Sequence, residues 1–224
     1  MKNLKQPHLS ILLCGILFIA FTSFSKTQIN EEKQLYKTHS LNVLDSPAIK
    51  TRVVIHSLQG YGQDSAFAYA AGVLLEKIIN SNEFKQEVIN NTYTEKQGYS
   101  STDIYNLIML AHEKEGPGGQ DHVIDLQLRT INLQQDGKKW MRDCKPGSAA
   151  GTIGIDGGGS GIAAVCPEWL RSTATAGKYN WLAAHFIHEY MHILGFTHLH
   201  RKSTSVPYKI QNIVEDFDTT KLTE

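Results

Sequence analysis

The sequence lacks a surplus of either charge: 22 Lys and Arg stand against 22 Asp and Glu in 224 residues, a formal net charge of zero. Without a basic stripe or an acidic block there is no electrostatic footprint for nucleic acid or an anionic membrane, and neither is expected as a partner. A long hydrophobic run is missing too. The apolar stretch from Leu9 to Phe24 is broken by Thr22 and Ser23, and it falls short of the roughly 20 residues that span a bilayer. Lys2 and Lys5 precede it and the small residues Ser23 and Ser25 follow, which is the layout of a secretory signal peptide over residues 1–25. Cleavage is expected near Ser25, giving a secreted or periplasmic chain with no stable membrane insertion. Leu13 precedes Cys14, where lipid-modified signals carry a small residue, which argues against a lipid anchor. Cleavage removes two lysines and no acid, so 20 basic residues face 22 acidic ones and the formal charge becomes −2.

Cysteine is scarce. Once Cys14 leaves with the signal, Cys144 and Cys166 remain, and neither belongs to a C-x-x-C pair that would bind metal. In an oxidising compartment a single disulfide is the simplest account. It would close a loop of 22 residues and contribute roughly 3 kcal/mol through the restricted unfolded chain. Between the two cysteines, GTIGIDGGGSGIAAV lacks the lysine and helix start that a phosphate cradle needs, since Ile162 follows Gly161. A tight stapled loop and an edge strand beside a cleft are expected instead.

The rest is ordinary globular composition, 41% hydrophobic and 20% charged, which suits one domain. Residues 26–50 are polar and without periodicity, a leader or loosely packed segment, and residues 51–224 form the expected domain. Arg52 to Leu58 (RVVIHSL) reads as a strand closed by Gly60 and Gly62. Asp64 is placed to cap a helix in which Phe67, Ala71, Leu74, Leu75 and Ile78 recur at helical spacing. FKQEVINNTY, residues 84–93, reads as a strand, and Ser100 or Ser101 caps a second helix, TDIYNLIMLAHEK. VIDLQLRTINL reads as a further strand. The order predicts an α+β protein whose N-terminal part is an α/β layer of helices against a mixed sheet.

HEYMHILGFTH, residues 188–198, carries the chemistry. Asn180 is placed to cap a helix starting at Trp181, and Leu182, Ala183, Phe186, Ile187, Tyr190, Met191 and Leu194 make it apolar nearly all round, which predicts a buried helix. His188 and His192, four apart, leave one face of it a turn apart. Glu189 is offset by about 100°, beside a metal rather than on it. Gly195 allows a reversal that brings His198 back, and three neutral imidazoles leave a fourth zinc position open for water.

The pattern H-E-x-x-H-x-x-G-x-x-H resembles the zinc signature of the metzincin metallopeptidases. The resemblance implies a metzincin-like zincin with a mixed sheet, an active-site helix and a small C-terminal subdomain. It implies one catalytic Zn2+ held by His188, His192 and His198, with Glu189 as general base and Gly195 at the turn. The chain departs from the family in having no methionine after Met191, so no Met-turn follows the third histidine. SVPYKIQNIVEDF stands there, a short apolar helix through Ile210, Ile213 and Phe217 expected to floor the site. By resemblance Tyr208 stabilises the oxyanion or completes the coordination; simple packing beneath the histidines is the other reading. His200 is a second candidate for third ligand, although the spacing from Gly195 favours His198.

The function implied is that of a secreted zinc-dependent endopeptidase, acting on a protein or peptide through a zinc-bound water activated by Glu189. An edge strand near Gly157 to Val165 would pair with extended substrate. Two other readings stand beside it. One is a secreted zinc-binding protein without turnover, against which the retention of Glu189 argues. The other is a zinc amidase acting on cell-wall peptide, which shares the same chemistry.

Overall fold

The computed structural model describes residues 49–111, 113, 121–131, 144, 152–153, 162–197 and 202–222. The expected signal peptide, nearly all of the leader, most of the glycine-rich stretch, His198 and His200 lie outside the described residues.

Strand β1 (Arg52–Gln59) runs parallel to β2 (Val123–Thr130). In β2, Ile124, Leu126 and Leu128 are buried, while Asp125, Gln127 and Arg129 between them are only partly covered. Next come β3 (Thr152–Ile153) and β4 (Ile162–Val165), the latter parallel to β2 and antiparallel to β3. The sheet is therefore mixed, in the order β1-β2-β4-β3. The expected edge strand is corrected here: Ile162–Val165 is an inner strand, and the outer position belongs to β3. The sequence of β4, IAAV, is apolar throughout, and a strand covered by neighbours needs no polar alternation.

Parallel pairing requires a crossover, and three helices supply it between β1 and β2. Helix α1 (Ser65–Ile79) buries Phe67, Ala71, Leu75 and Ile78. At Gly72 a Cβ would come within 3.0 Å of the Ile55 side chain, so the missing side chain lets helix and strand approach closely. Asp64 holds the N-cap position but makes no capping bond. Its carboxylate instead accepts from Arg171 at 3.0 Å. Residues 84–93, expected as a strand, are corrected to helix α2 (Asn82–Asn90) and its exit. Ser81 caps it by accepting from the Phe84 amide, and Phe84 and Val88, four apart, are its buried residues. Helix α3 (Ser101–Leu110) starts at the foreseen Ser100, which forms a full capping box with Asp103. That arrangement is worth about 1 kcal/mol.

Cys144 and Cys166 form the expected disulfide, packed against Ile131, Ala164 and Trp169. Pro167 then opens helix α4 (Pro167–Thr175) at a position that needs no amide donor. Helix α5 (Tyr179–Ile193) begins two residues before Trp181, with Lys178 rather than Asn180 at the N-cap. Asn180 donates its side-chain amide to the Phe217 carbonyl at 2.9 Å, tying α5 to the chain beyond α6 (Val206–Glu215). Every residue from Leu182 to Met191 is buried, as an apolar circumference requires. Among the described residues no helix is long and apolar enough to cross a membrane.

Candidate metal centre

His188 and His192 leave α5 one turn apart, with ring centroids 5.1 Å from each other. The Nδ1 of His192 donates to the Phe196 carbonyl at 2.7 Å. A carbonyl only accepts, so Nδ1 carries a proton, and in the neutral ring Nε2 is then the nitrogen with the lone pair. That is the ring state a metal ligand requires, with a backbone carbonyl as the outer partner. The same helix end supplies that carbonyl. Gly195 adopts φ +92°, its amide donates to His192 O at 2.8 Å and the Phe196 amide to Met191 O at 3.0 Å. These two bonds form a Schellman motif, which needs a left-handed residue at Gly195. The reversal expected at Gly195 is present, and it is also what carries Phe196 O back to His192.

Two of the three expected ligands are thus brought together, while the third, His198, and its alternative, His200, lie outside the described residues. Among the described residues no group of three His, Cys, Asp or Glu side chains is arranged to hold a metal ion. The donor set fits zinc as far as it is described: two imidazoles one turn apart on a buried helix, one of them hydrogen-bonded through Nδ1.

Glu189 is 2% exposed, and its Oε1 lies 3.6 Å from Nδ1 of His185 one turn earlier. That contact is too long for a hydrogen bond. His185 escaped the reading of the sequence, although its i, i+4 relation to Glu189 was visible there. Its Nε2 donates to the Ala164 carbonyl of β4 at 3.0 Å, and its ring lies 5.6 Å from that of Trp169. Burial pushes its pKa down to about 4, with the Ala164 carbonyl opposing and His192 adding to the fall.

Tyr208 of α6 stands edge-on to His188, with centroids 4.6 Å apart and planes at 79°. Burial raises its pKa, and the Glu189 carboxylate adds to the rise. The hydroxyl is therefore a neutral donor beside the histidines across the physiological range. On another side of α5, the buried Tyr190 hydroxyl lies near the Glu113 carboxyl without meeting hydrogen-bond geometry, and each raises or tempers the other's pKa. A groove of about 630 Å³ between α1, α5 and α6 includes Tyr179 and Trp181 in its lining. It lies at the other end of α5 from His188 and His192. No family model, curated protein or solved structure matches the chain.

Proposed function

We propose that this chain is a secreted zinc-dependent endopeptidase of metzincin-like design, with His188, His192 and His198 as ligands of one Zn2+ and Glu189 as general base. The observation that carries this reading is the pair His188 and His192 on one face of a buried helix, with the His192 ring held in the ligating tautomer by Phe196 O. When bound, zinc supplies Lewis acidity, polarising a carbonyl and lowering the pKa of water towards ~7. Glu189, next to the first ligand and shielded from solvent, accepts the proton of the attacking water and passes it to the leaving amine. Tyr208, kept protonated by burial and by Glu189, donates a hydrogen bond to the oxygen that gains charge. Helix α6 holds the Tyr208 ring edge-on against His188.

The test is to export the protein from its full sequence beside Glu189→Ala and Tyr208→Phe variants. Bound zinc is measured by elemental analysis and turnover on unfolded casein. All three proteins are expected to hold about one zinc. Glu189→Ala should lose at least ~100-fold in turnover, and Tyr208→Phe a comparable or smaller factor. If wild type and variants hold zinc and none cleaves, the endopeptidase reading fails, and a zinc-binding protein or a cell-wall amidase takes its place. If none holds zinc, His188 and His192 are core residues of a packed helix.

A further inference from the structure

Both ends of the chain that joins α5 to α6 rest on one short segment, Thr94–Tyr99, far away in sequence. At the α5 end, the Gln97 side-chain amide donates to the Gly195 carbonyl at 2.7 Å. Tyr99 meets the buried Phe196 ring edge-on at 5.7 Å. At the α6 end, the Thr94 amide donates to the Thr204 carbonyl at 2.9 Å. The two threonine hydroxyls are also 2.9 Å apart, and Thr94 bridges Ser205 in parallel β fashion.

The segment is itself anchored on both sides. Tyr93 before it is 5% exposed and donates its hydroxyl to Val88 O of α2 at 2.9 Å. After it, Ser100 caps α3, and the Ser101 hydroxyl donates to Asn91 O at 3.0 Å. Between these anchors Glu95 and Gln97 adopt φ +55° and +51°. A side chain opposes that backbone region, and residues keep it only where their surroundings hold them there.

We propose that Thr94–Tyr99 is a clamp that holds the end of α5, at Gly195 and Phe196, and the start of α6, at Thr204 and Ser205, in register for zinc binding, in the place of the Met-turn that this sequence lacks. Gln97 is a positioning residue through the turn whose Phe196 carbonyl fixes His192, and Thr94 through the start of the helix that sets Tyr208 against His188; the inference rests on the proposed zinc site. Gln97 grips the carbonyl of Gly195, the residue at which the chain turns away from His192. Thr94 grips the residues from which α6 and Tyr208 begin. A helix end and a helix start pinned from outside have less conformational freedom left to lose when a metal binds beside them. Outer partners that orient ligands are worth about 10- to 100-fold in metal affinity.

The experiment compares wild type with Gln97→Ala, Thr94→Val and Thr94→Ser, each exported from the full sequence. Zn2+ alone is titrated in competition with a chelator, and hydrogen exchange of residues 195–205 is followed in the metal-free proteins. Gln97→Ala and Thr94→Val should each raise the zinc dissociation constant about tenfold and speed exchange in that stretch while α1 stays protected. Thr94→Ser keeps the hydroxyl and should stay within about twofold of wild type. A merely structural role would instead lower protection throughout and leave zinc affinity of the folded protein unchanged, which overturns the clamp. Wild type binding zinc, with variants binding it equally well, overturns the clamp and leaves the site standing. Wild type binding no zinc overturns both.

Discussion

His185 is a buried, uncharged histidine, and its replacement makes a prediction with two separable parts. His185→Ala leaves the Ala164 carbonyl, in a residue with no exposure, without its donor at 3.0 Å, which costs about 1–3 kcal/mol. The space left beside Trp169 adds about 2 kcal/mol, so the variant should lose roughly 3–5 kcal/mol. His185→Gln carries a donor nitrogen at the position of Nε2 and should lose about half as much. The second part is pH. As pH falls through about 6.5 the unfolded chain takes up a proton at His185, whereas the folded chain does so only near 4. The unfolded state binds more protons over that window, so stability is complete above pH 6.5 and is lost on the way down to 4. At 1.36 kcal/mol per pH unit this amounts to about 3 kcal/mol for wild type. The assay is urea unfolding of the metal-free, disulfide-bonded protein at pH 7 and pH 4.5, with the glutamine variant subtracting every other titrating group. Parallel stability curves for wild type and His185→Gln across that range would falsify the neutral, buried histidine.

Glu113 is 7% exposed, its Oε2 lacks a hydrogen-bond partner, and burial chiefly raises its pKa, so the folded state favours the protonated form. Its contribution is present at low pH and lost as pH rises through the raised value; Glu113→Gln should therefore gain on the order of 1 kcal/mol at pH 8 and little at pH 4, read from melting curves. Replacing Cys144 and Cys166 by Ala opens a bridge spanning 22 residues and should cost about 3 kcal/mol. In a domain of this size that lowers Tm by roughly 6–12 °C, and calorimetry showing no change would mean that the loop is held by other contacts.

The elements that were legible in the sequence are those whose pattern is local. The 3.6-residue period of α1 and the apolar circumference of α5 need no partner to be read, and neither does the Ser100 cap. Residues 84–93 misled because valine, isoleucine, threonine and tyrosine suggest a strand, yet the i, i+4 pair Phe84 and Val88 behind Ser81 was the stronger signal. Burial against neighbouring helices overrides intrinsic β preference. Ile162–Val165 was assigned to an edge because it follows glycines, although an unbroken apolar run is what an inner strand shows. In the candidate metal site, the i, i+4 histidines and the glycine turn were readable. The long-range bonds of His185, Gln97 and Thr94 were not, because those partners are 21, 98 and 110 residues away.

Helix α5 shows why a histidine pair can be worth more here than on a surface helix. Its rotation about its own axis is fixed from three directions: His185 is bonded to β4, Asn180 to the chain after α6, and His188 is packed against Tyr208. A surface helix would leave both imidazoles their rotamers, and a metal would have to order them on binding. In α5 that ordering is done by folding, since His188 is 6% exposed and His192 is bonded within its own helix end. If the pair binds zinc as proposed, little of the binding free energy goes into ordering these two rings. The same reasoning makes residues outside the motif that hold α5 in register, His185 and Asn180 among them, part of what a metal site on this helix would depend on.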